Sequence, residues 1–199
     1  KQKTAYEIMP SLVGAERWIR DSFYNLPLRS SNACAANYPD SQSAWESAFS
    51  LWACVSSRTN VVYHSAGWLE GGLCASYEKF VMDCETLQQM IHYMQPVTTS
   101  AGDLAFEAIR DGGPTGHFFG TEHTLERYET AFYAPFLSDW SNFENWEDRG
   151  SIQTPQRANK IWKQILAEFE PPPIDPSIRE ELQAFVAKRK EEGGAPTDF

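Results

Sequence analysis

NVVYHSAGWLEGG, residues Asn60–Gly72, decides how this chain is read. Val61, Val62 and Tyr63 form a β-favouring run that passes directly into His64, and glycines at 67, 71 and 72 frame Trp68 and Glu70. The run predicts a short strand, and the glycines predict a tight turn at its C-terminal end. A histidine, an indole and a carboxylate gathered on the loop after a strand is the arrangement from which α/β barrel enzymes build active sites. A second Gly-framed stretch, GGPTGHFFGTEHT at Gly112–Thr124, repeats the chemistry with His117, Phe118, Phe119, Glu122 and His123.

The flanks of Asn60–Gly72 are helical in pattern. Upstream, Ser11–Tyr24 places Leu12, Ala15, Trp18, Ile19 and Phe23 on one face. Leu26–Ser30 predicts a strand, and Pro39-Asp40 opens a second helix with an apolar stripe of Trp45, Ala48, Phe49, Trp52 and Val55. Ser43-x-x-Glu46 has the form of a capping box at its start. Downstream, Ser76–Gln95 repeats Tyr77, Phe80, Val81, Cys84, Leu87, Ile91 and Met94 at helical spacing until Pro96 stops it. Helix and strand thus alternate as in a parallel α/β sheet. Beyond Pro96, shorter helices are expected over Ala101–Arg110, Thr121–Phe132 and Pro155–Phe169, with a third strand near Gly116–Phe119. EPPPIDP, Glu170–Pro176, reads as a stiff linker to a charged helix at Ser177–Lys190, and Glu191–Phe199 as a frayed tail.

Two or three strands cannot close a barrel, which takes about 250 residues. The chain opens at Lys1 and has 199 residues. It is therefore expected to be the C-terminal part of a larger (β/α)8 TIM barrel, completed by a missing N-terminal part or by another copy. Residues 1–135 would carry the βα units and 136–199 a C-terminal helical extension.

Composition narrows the partners. A net charge of −10, with no basic stripe, gives no nucleic-acid footprint. No apolar run approaches the roughly 20 residues that span a bilayer, so no membrane association is expected and the cytoplasm is the expected compartment. Cys34, Cys54, Cys74 and Cys84 lack CxxC spacing and are expected to be reduced and mostly buried.

His64 is the leading catalytic candidate, because Ser65, Ala66 and Gly67 let backbone and ligand come close; a hydrogen-bonded histidine that fixes the loop is the alternative. Glu70, the second catalytic candidate, is either a ligand-facing carboxylate or a helix N-terminal cap. Tyr63, Trp68, Phe118 and Phe119 could surround a cation, and His117 lies in the same stretch; core packing is the competing use of the rings. The histidine spacing does not suit a metal site, and none is expected.

At these residues a resemblance appears. LPLRSSNACAANYPDSQ (Leu26–Gln42), NVVYHSAGWLEGGL (Asn60–Leu73), GHFFGTEHTL (Gly116–Leu125) and EPPPI (Glu170–Ile174), in that order, resemble the C-terminal portion of the trimethylamine methyltransferase family. The resemblance implies methyl transfer from a methylated amine to the cobalt of a cobalamin (corrinoid) carried by a separate protein. Some family members place pyrrolysine ahead of a Ser-Asp-Ala-Lys run in the loop before Pro-Asp. Here Ala33 stands at that position, followed by Cys34-Ala35-Ala36-Asn37, so both pyrrolysine and the acidic residue at Ala35 are absent. The implied member is the pyrrolysine-free type, which uses quaternary amines such as glycine betaine. A quaternary nitrogen is already a competent leaving group and needs only correct aim. In that role His64 and Glu70 would orient or neutralise the substrate, while Tyr63, Trp68, His117 and Phe119 would bind it. A non-catalytic amine-binding or scaffold subunit of the same barrel family is the alternative, and a metal-dependent hydrolase using His64, His117 and His123 a third reading.

Overall fold

The computed structural model describes residues 26–193; the helix expected over Ser11–Tyr24 lies outside them. The architecture is mixed α/β. Strands β1 (Arg29–Ser31) and β2 (Val61–Tyr63) pair in parallel, with Arg29 opposite Val61 and Ser31 opposite Tyr63. Helix α1 (Ser41–Ser56) crosses between them. The pairing extends past the strands: Leu28 N–H donates to Asn60 Oδ1 at 2.7 Å, and Asn32 N–H donates to the Tyr63 carbonyl at 3.1 Å.

A second, antiparallel pair follows at once, β3 (Trp68–Leu69) with β4 (Cys74–Ala75), joined through a 3-10 turn at Glu70–Gly72. Helix α2 (Tyr77–Tyr93) is capped by the Ser76 hydroxyl, which accepts from Lys79 N–H. Short helices α3 (Ala101–Leu104), α4 (Phe106–Gly112), α5 (Glu122–Arg127) and α6 (Phe143–Asp148) lead to α7 (Thr154–Ala167) and α8 (Pro176–Glu191). The expected 101–110 helix is broken by Ala105, whose φ of 52° is left-handed, and α6 is a helix that the periodicity did not signal.

The chain divides into two compact units between Lys163 and Gln164. In the first, Val81, Leu137 and Ala158 form a core cluster joined by Met82, Ile161 and Trp162. Glu85, itself buried, clamps the loop that carries Leu137: one carboxylate oxygen accepts from Phe136 and Leu137 N–H at 3.2 Å, the other from Ser138 Oγ at 3.1 Å. In the second unit, Asp175 caps α8 by accepting from Ser177 N–H, Pro176 occupies its first turn, and Lys188, Arg189 and Lys190 sit at the negative end of the helix dipole.

Three expectations are corrected. The apolar stripe of α1 is not its buried face: Ser43, Ser47, Leu51 and Cys54 face inward, while Trp45, Phe49 and Trp52 are exposed. Likewise α2 buries Lys79, Val81, Asp83, Glu85 and Met90 and exposes Tyr77, Phe80, Ile91 and Met94. The inward sides are chosen by close approach of small residues and by a buried polar network described below. Second, Ser43 does not open a capping box; Asp40 is the N-cap and accepts from Ser43 N–H at 3.1 Å. Third, Gly116–Phe119 is not a strand. Gly116 lies so close to α4 that a Cβ there would meet the Gly112 carbonyl oxygen at 1.7 Å, and the Phe118 ring lies against Gly112.

No helix among the described residues is long and apolar enough to cross a membrane. All four cysteines are free; Cys34 and Cys54 are buried, Cys84 is half-buried and Cys74 is exposed.

Candidate functional site

In the β1–β2 pair, side chains alternate between two faces. Leu28 and Asn32 are buried on the side that α1 covers, where Leu51 and Cys54 lie. Arg29, Val61 and Tyr63 are exposed on the other. The C-terminal end of β2 on that open face holds the candidate site.

His64 follows β2 with a left-handed backbone, φ 51°, and its Nδ1 shares a 3.1 Å hydrogen bond with Ser31 Oγ at the end of β1. Trp68 presents an edge-on contact to the His64 ring, with centroids 5.2 Å apart, and Tyr63 lies at 6.0 Å from it. Arg29 extends the row: its guanidinium carbon sits 4.3 Å from the centre of the Tyr63 ring. One face of Tyr63 is thus occupied by the chain's own cation.

Glu70 is exposed, also left-handed at φ 53°, and starts the 3-10 turn. It caps no helix by its side chain, since α2 takes Ser76 as its N-cap. Its backbone is fixed instead: Glu70 N–H donates to the Ala36 carbonyl at 3.0 Å and Gly71 N–H to the Cys34 carbonyl at 2.8 Å. These bonds, with the cluster of Cys34, Ala36 and Leu69, join the Leu26–Gln42 and Asn60–Leu73 motifs. Left-handed L-residues cost of order 1 kcal/mol each and persist where surroundings enforce them.

The run Ala33–Asn37 is held by Glu46 of α1. One carboxylate oxygen accepts from Ala35 N–H at 2.7 Å and Ala36 N–H at 3.0 Å. The Gln42 amide donates to the other oxygen, and these bonds hold the Glu46 carboxyl below its usual range against the opposing effect of burial. A carboxylate therefore serves this loop although the loop's own acidic residue is absent.

Beneath the site runs a polar network. Lys79 and Asp83 of α2, both buried, form an ion pair, and Lys79 Nζ donates to Ser47 Oγ of α1 at 2.6 Å. The other oxygen of Asp83 accepts from Gly67 N–H at 2.9 Å. Asn32 Nδ2 donates to Ser47 Oγ at 3.1 Å and to the Ser65 carbonyl at 3.2 Å. Gly67 has φ +90°, and a Cβ there would approach Phe80 to 3.2 Å, so the residue is needed both for its backbone and for its size.

His117 and Phe119 are not joined to the His64 group. Their rings contact each other at 5.6 Å, both are exposed, and no hydrogen bond, ion pair or ring contact among the described residues joins them to His64 or Trp68. His123 stands in α5, within the stretch expected to be helical over Thr121–Phe132. The described residues bring no three His, Cys, Asp or Glu side chains into a metal-holding group.

A cleft of about 650 Å³ borders the site loop, lined by Leu69 together with Tyr38, Glu78, Asn159 and Lys160. Glu78 accepts from Asn159 Nδ2 at 2.7 Å, Trp162 Nε1 at 2.8 Å and Ser76 Oγ at 3.1 Å. Burial raises its pKa, but these hydrogen bonds outweigh it and bring the value to about 2. A depressed carboxylate adds stability above its unfolded pKa, and that stability is lost as pH falls through the folded value. Glu78→Gln is accordingly expected to lower stability at neutral pH and to flatten the acid dependence between about pH 4.5 and pH 2. Urea midpoints across that range measure it.

Two motifs now stand joined around His64, and residues 20–194 match the family described as trimethylamine methyltransferase (MTTB). The chain belongs to the trimethylamine methyltransferase family. It is 40% identical over 173 residues to a glycine betaine methyltransferase of Desulfitobacterium hafniense, covering 86% of this chain and 36% of that protein. It is 30% identical over 169 residues to a trimethylamine methyltransferase of Methanosarcina mazei, covering 83% of this chain and 33% of the relative. An L-carnitine:corrinoid methyltransferase of Eubacterium limosum is 28% identical over 156 residues, 76% of this chain and 32% of that protein. The chain spans about a third of the length of these relatives.

Sequence reading missed Arg29, Asn32, Glu46, Lys79 and Asp83. Arg29 alternates with buried Leu28 on a short strand, a pattern that marks the open face once the strand is recognised. Nothing in the one-dimensional pattern distinguishes Lys79 and Asp83 from a solvated i,i+4 pair.

Proposed function

We propose that, in the full-length protein, this chain supplies one wall of the active site of a methyltransferase. The enzyme moves a methyl group from a quaternary amine of the betaine class to the cobalt of a corrinoid protein. The fold would be a (β/α)8 barrel in which β1, α1, β2 and α2 are C-terminal units. Crossover helix α1 on one side of the strands and an open opposite side support that reading. The remaining strands would come from the rest of the polypeptide or from a second copy, and the compartment would be the cytoplasm.

The observation that carries the substrate class is the continuous row Arg29–Tyr63–His64–Trp68 at the end of β2. Glycine betaine and carnitine, named in the relatives, each carry a quaternary ammonium and a carboxylate. Arg29, backed by the Tyr63 ring, and His64 supply the donors for a carboxylate. The Trp68 indole holds the ammonium by cation–π attraction, about 0.5–2 kcal/mol, and Glu70 contributes the opposite charge. Tyr63 thereby acts as a platform for Arg29 rather than as a cage wall. His117 and Phe119 would serve from the separate Gly112–Thr124 stretch.

The corrinoid is cargo of a partner protein, and the exposed strand end leaves the methyl reachable by such a partner. Reduced cobalt supplies the electron pair that takes the methyl group, and the amine leaves with the pair of the broken N–C bond. This chain's residues bind and aim the substrate: fixing the carboxylate at Arg29 and His64 presents one N-methyl group outward. No proton is needed at nitrogen, in keeping with Ala33 in the loop.

Calorimetric titration of the full-length protein tests the reading. Glycine betaine is expected to bind more tightly than choline, which has the ammonium without the carboxylate. Equal affinity, or no binding of either, would count against it.

A further inference from the structure

The loop that carries His64 is anchored at three points, two from the end of β1 and one from α2. Ser31 of β1 holds the His64 ring, Asn32 holds the Ser65 carbonyl, and Asp83 of α2 holds the Gly67 N–H. Two of the three anchors meet in one buried network: Asp83 pairs with Lys79, Lys79 donates to Ser47, and Asn32 donates to the same Ser47 oxygen. Lys79 is 0% exposed, Ser47 1%, Asp83 2% and Asn32 4%, so the network is buried, and it reaches the loop through the Ser65 carbonyl and the Gly67 N–H.

We propose that Asp83 is a positioning residue of the His64 site. It sets the height of the loop by accepting from Gly67 N–H, and Lys79 is the counter-charge that keeps the buried carboxylate paired. The loop needs such fixing. His64 and Gly67 both have left-handed backbone, at φ 51° and 90°, and the residues between them form no ladder. Without the Gly67 anchor the loop can relax toward ordinary dihedrals, and the imidazole then leaves both Ser31 and the Trp68 edge. A displacement of about 1 Å at a binding group costs on the order of a hundredfold in rate.

A buried pair is also a structural feature, so the test separates the two roles. Replacing both charges with apolar groups, as in Lys79→Met with Asp83→Leu, removes the uncompensated-charge penalty that a single change would leave. It also removes the acceptor for Gly67. Lys79→Met with Asp83→Asn is equally neutral but keeps a carbonyl oxygen within reach of that N–H. Both are made in the full-length protein. The first readout is the ring correlations of His64 in a two-bond proton–nitrogen NMR spectrum, assigned by their loss in His64→Gln. The second is glycine betaine affinity.

The Met/Leu variant is expected to fold with parent-like far-UV dichroism and a cooperative melt. Its His64 correlations are expected to move to the averaged position of a free imidazole, and its betaine affinity to fall about ten- to a hundredfold. The Met/Asn variant is expected to recover most of both. A folded Met/Leu variant with unchanged His64 correlations overturns the proposal. So does equal displacement of the ring in both variants, which would show that the charge and not the Gly67 acceptor matters. The affinity arm rests on the proposed substrate, whereas the NMR arm needs none. A parent that ignores betaine therefore defeats that reading and leaves the positioning role to be decided by the spectra.

Discussion

Lys79→Met alone is expected to cost about 3–5 kcal/mol, because it strands Asp83 as a buried, unpaired carboxylate. The pair is sealed: Lys79 is 0% exposed and Asp83 2%. Its attraction is supported by Ser47 Oγ on the lysine and the Gly67 N–H on the aspartate. Replacing the ammonium with a thioether leaves the Asp83 charge with the Gly67 N–H as its donor. A whole domain's stability is about 5–15 kcal/mol, so one substitution consumes a large share of it. Urea unfolding at constant slope measures the loss. A change below about 1 kcal/mol would mean that water reaches the pair.

The second large effect falls on recognition. Arg29→Gln is expected to weaken glycine betaine binding by about ten- to a hundredfold, the worth of a hydrogen bond to a charged group. Choline, without a carboxylate, is expected to bind the variant as it binds the parent. Arg29 is exposed and contacts the Tyr63 ring, so stability should change little. An equal loss for both ligands would place Arg29 away from the carboxylate and make its contact with Tyr63 purely structural. His64→Ala is expected to reproduce the selectivity change, since the imidazole sits beside the same ring.

How much of this was legible in the sequence differs by element. Strand β2 is found at the residues that its β-branched run marks, because Val61, Val62 and Tyr63 have strong local preference and Asn60 and His64 end it. The start of α1 follows from Pro39-Asp40, and α2 runs between Ser76 and Pro96 as its cap and breaker require. Faces were a different matter. The periodicity of α1 is real, but Trp45 and Phe49 are exposed, and Trp52, exposed as well, meets α2 only at its end, against the Tyr93 ring at 5.4 Å. Ser43 and Ser47 face inward, and Ser47 is also the junction of the buried network. Apolar stripes point toward whatever covers them, and this chain spans about a third of its relatives' length. Glu46 stands three residues after Ser43 and so mimics a capping box, yet the loop amides of Ala35 and Ala36 compete successfully for its carboxylate. Of the candidate site, His64, Trp68 and Tyr63 were visible as a linear motif and come together in space. Arg29 lies in another motif and is joined only by the parallel register of β1 with β2.

The two left-handed non-glycine residues of the motif, His64 and Glu70, show why the same stretch serves both fold and site. Each would relax if its neighbours released it. The anchors on Ser65, Gly67, Glu70 and Gly71 come from two other segments, the Asn32–Ala36 run and α2, so the loop geometry belongs to the assembled unit and not to the local sequence.

The most direct measurement is turnover by the full-length protein. It is mixed with cob(I)alamin and glycine betaine carrying labelled methyl groups, and dimethylglycine and labelled cobalamin are followed together. The account predicts equal amounts of both products, faster reaction with glycine betaine than with trimethylamine, and loss of the preference in Arg29→Gln. Binding of betaine without any dimethylglycine, or a preference for trimethylamine, would contradict it.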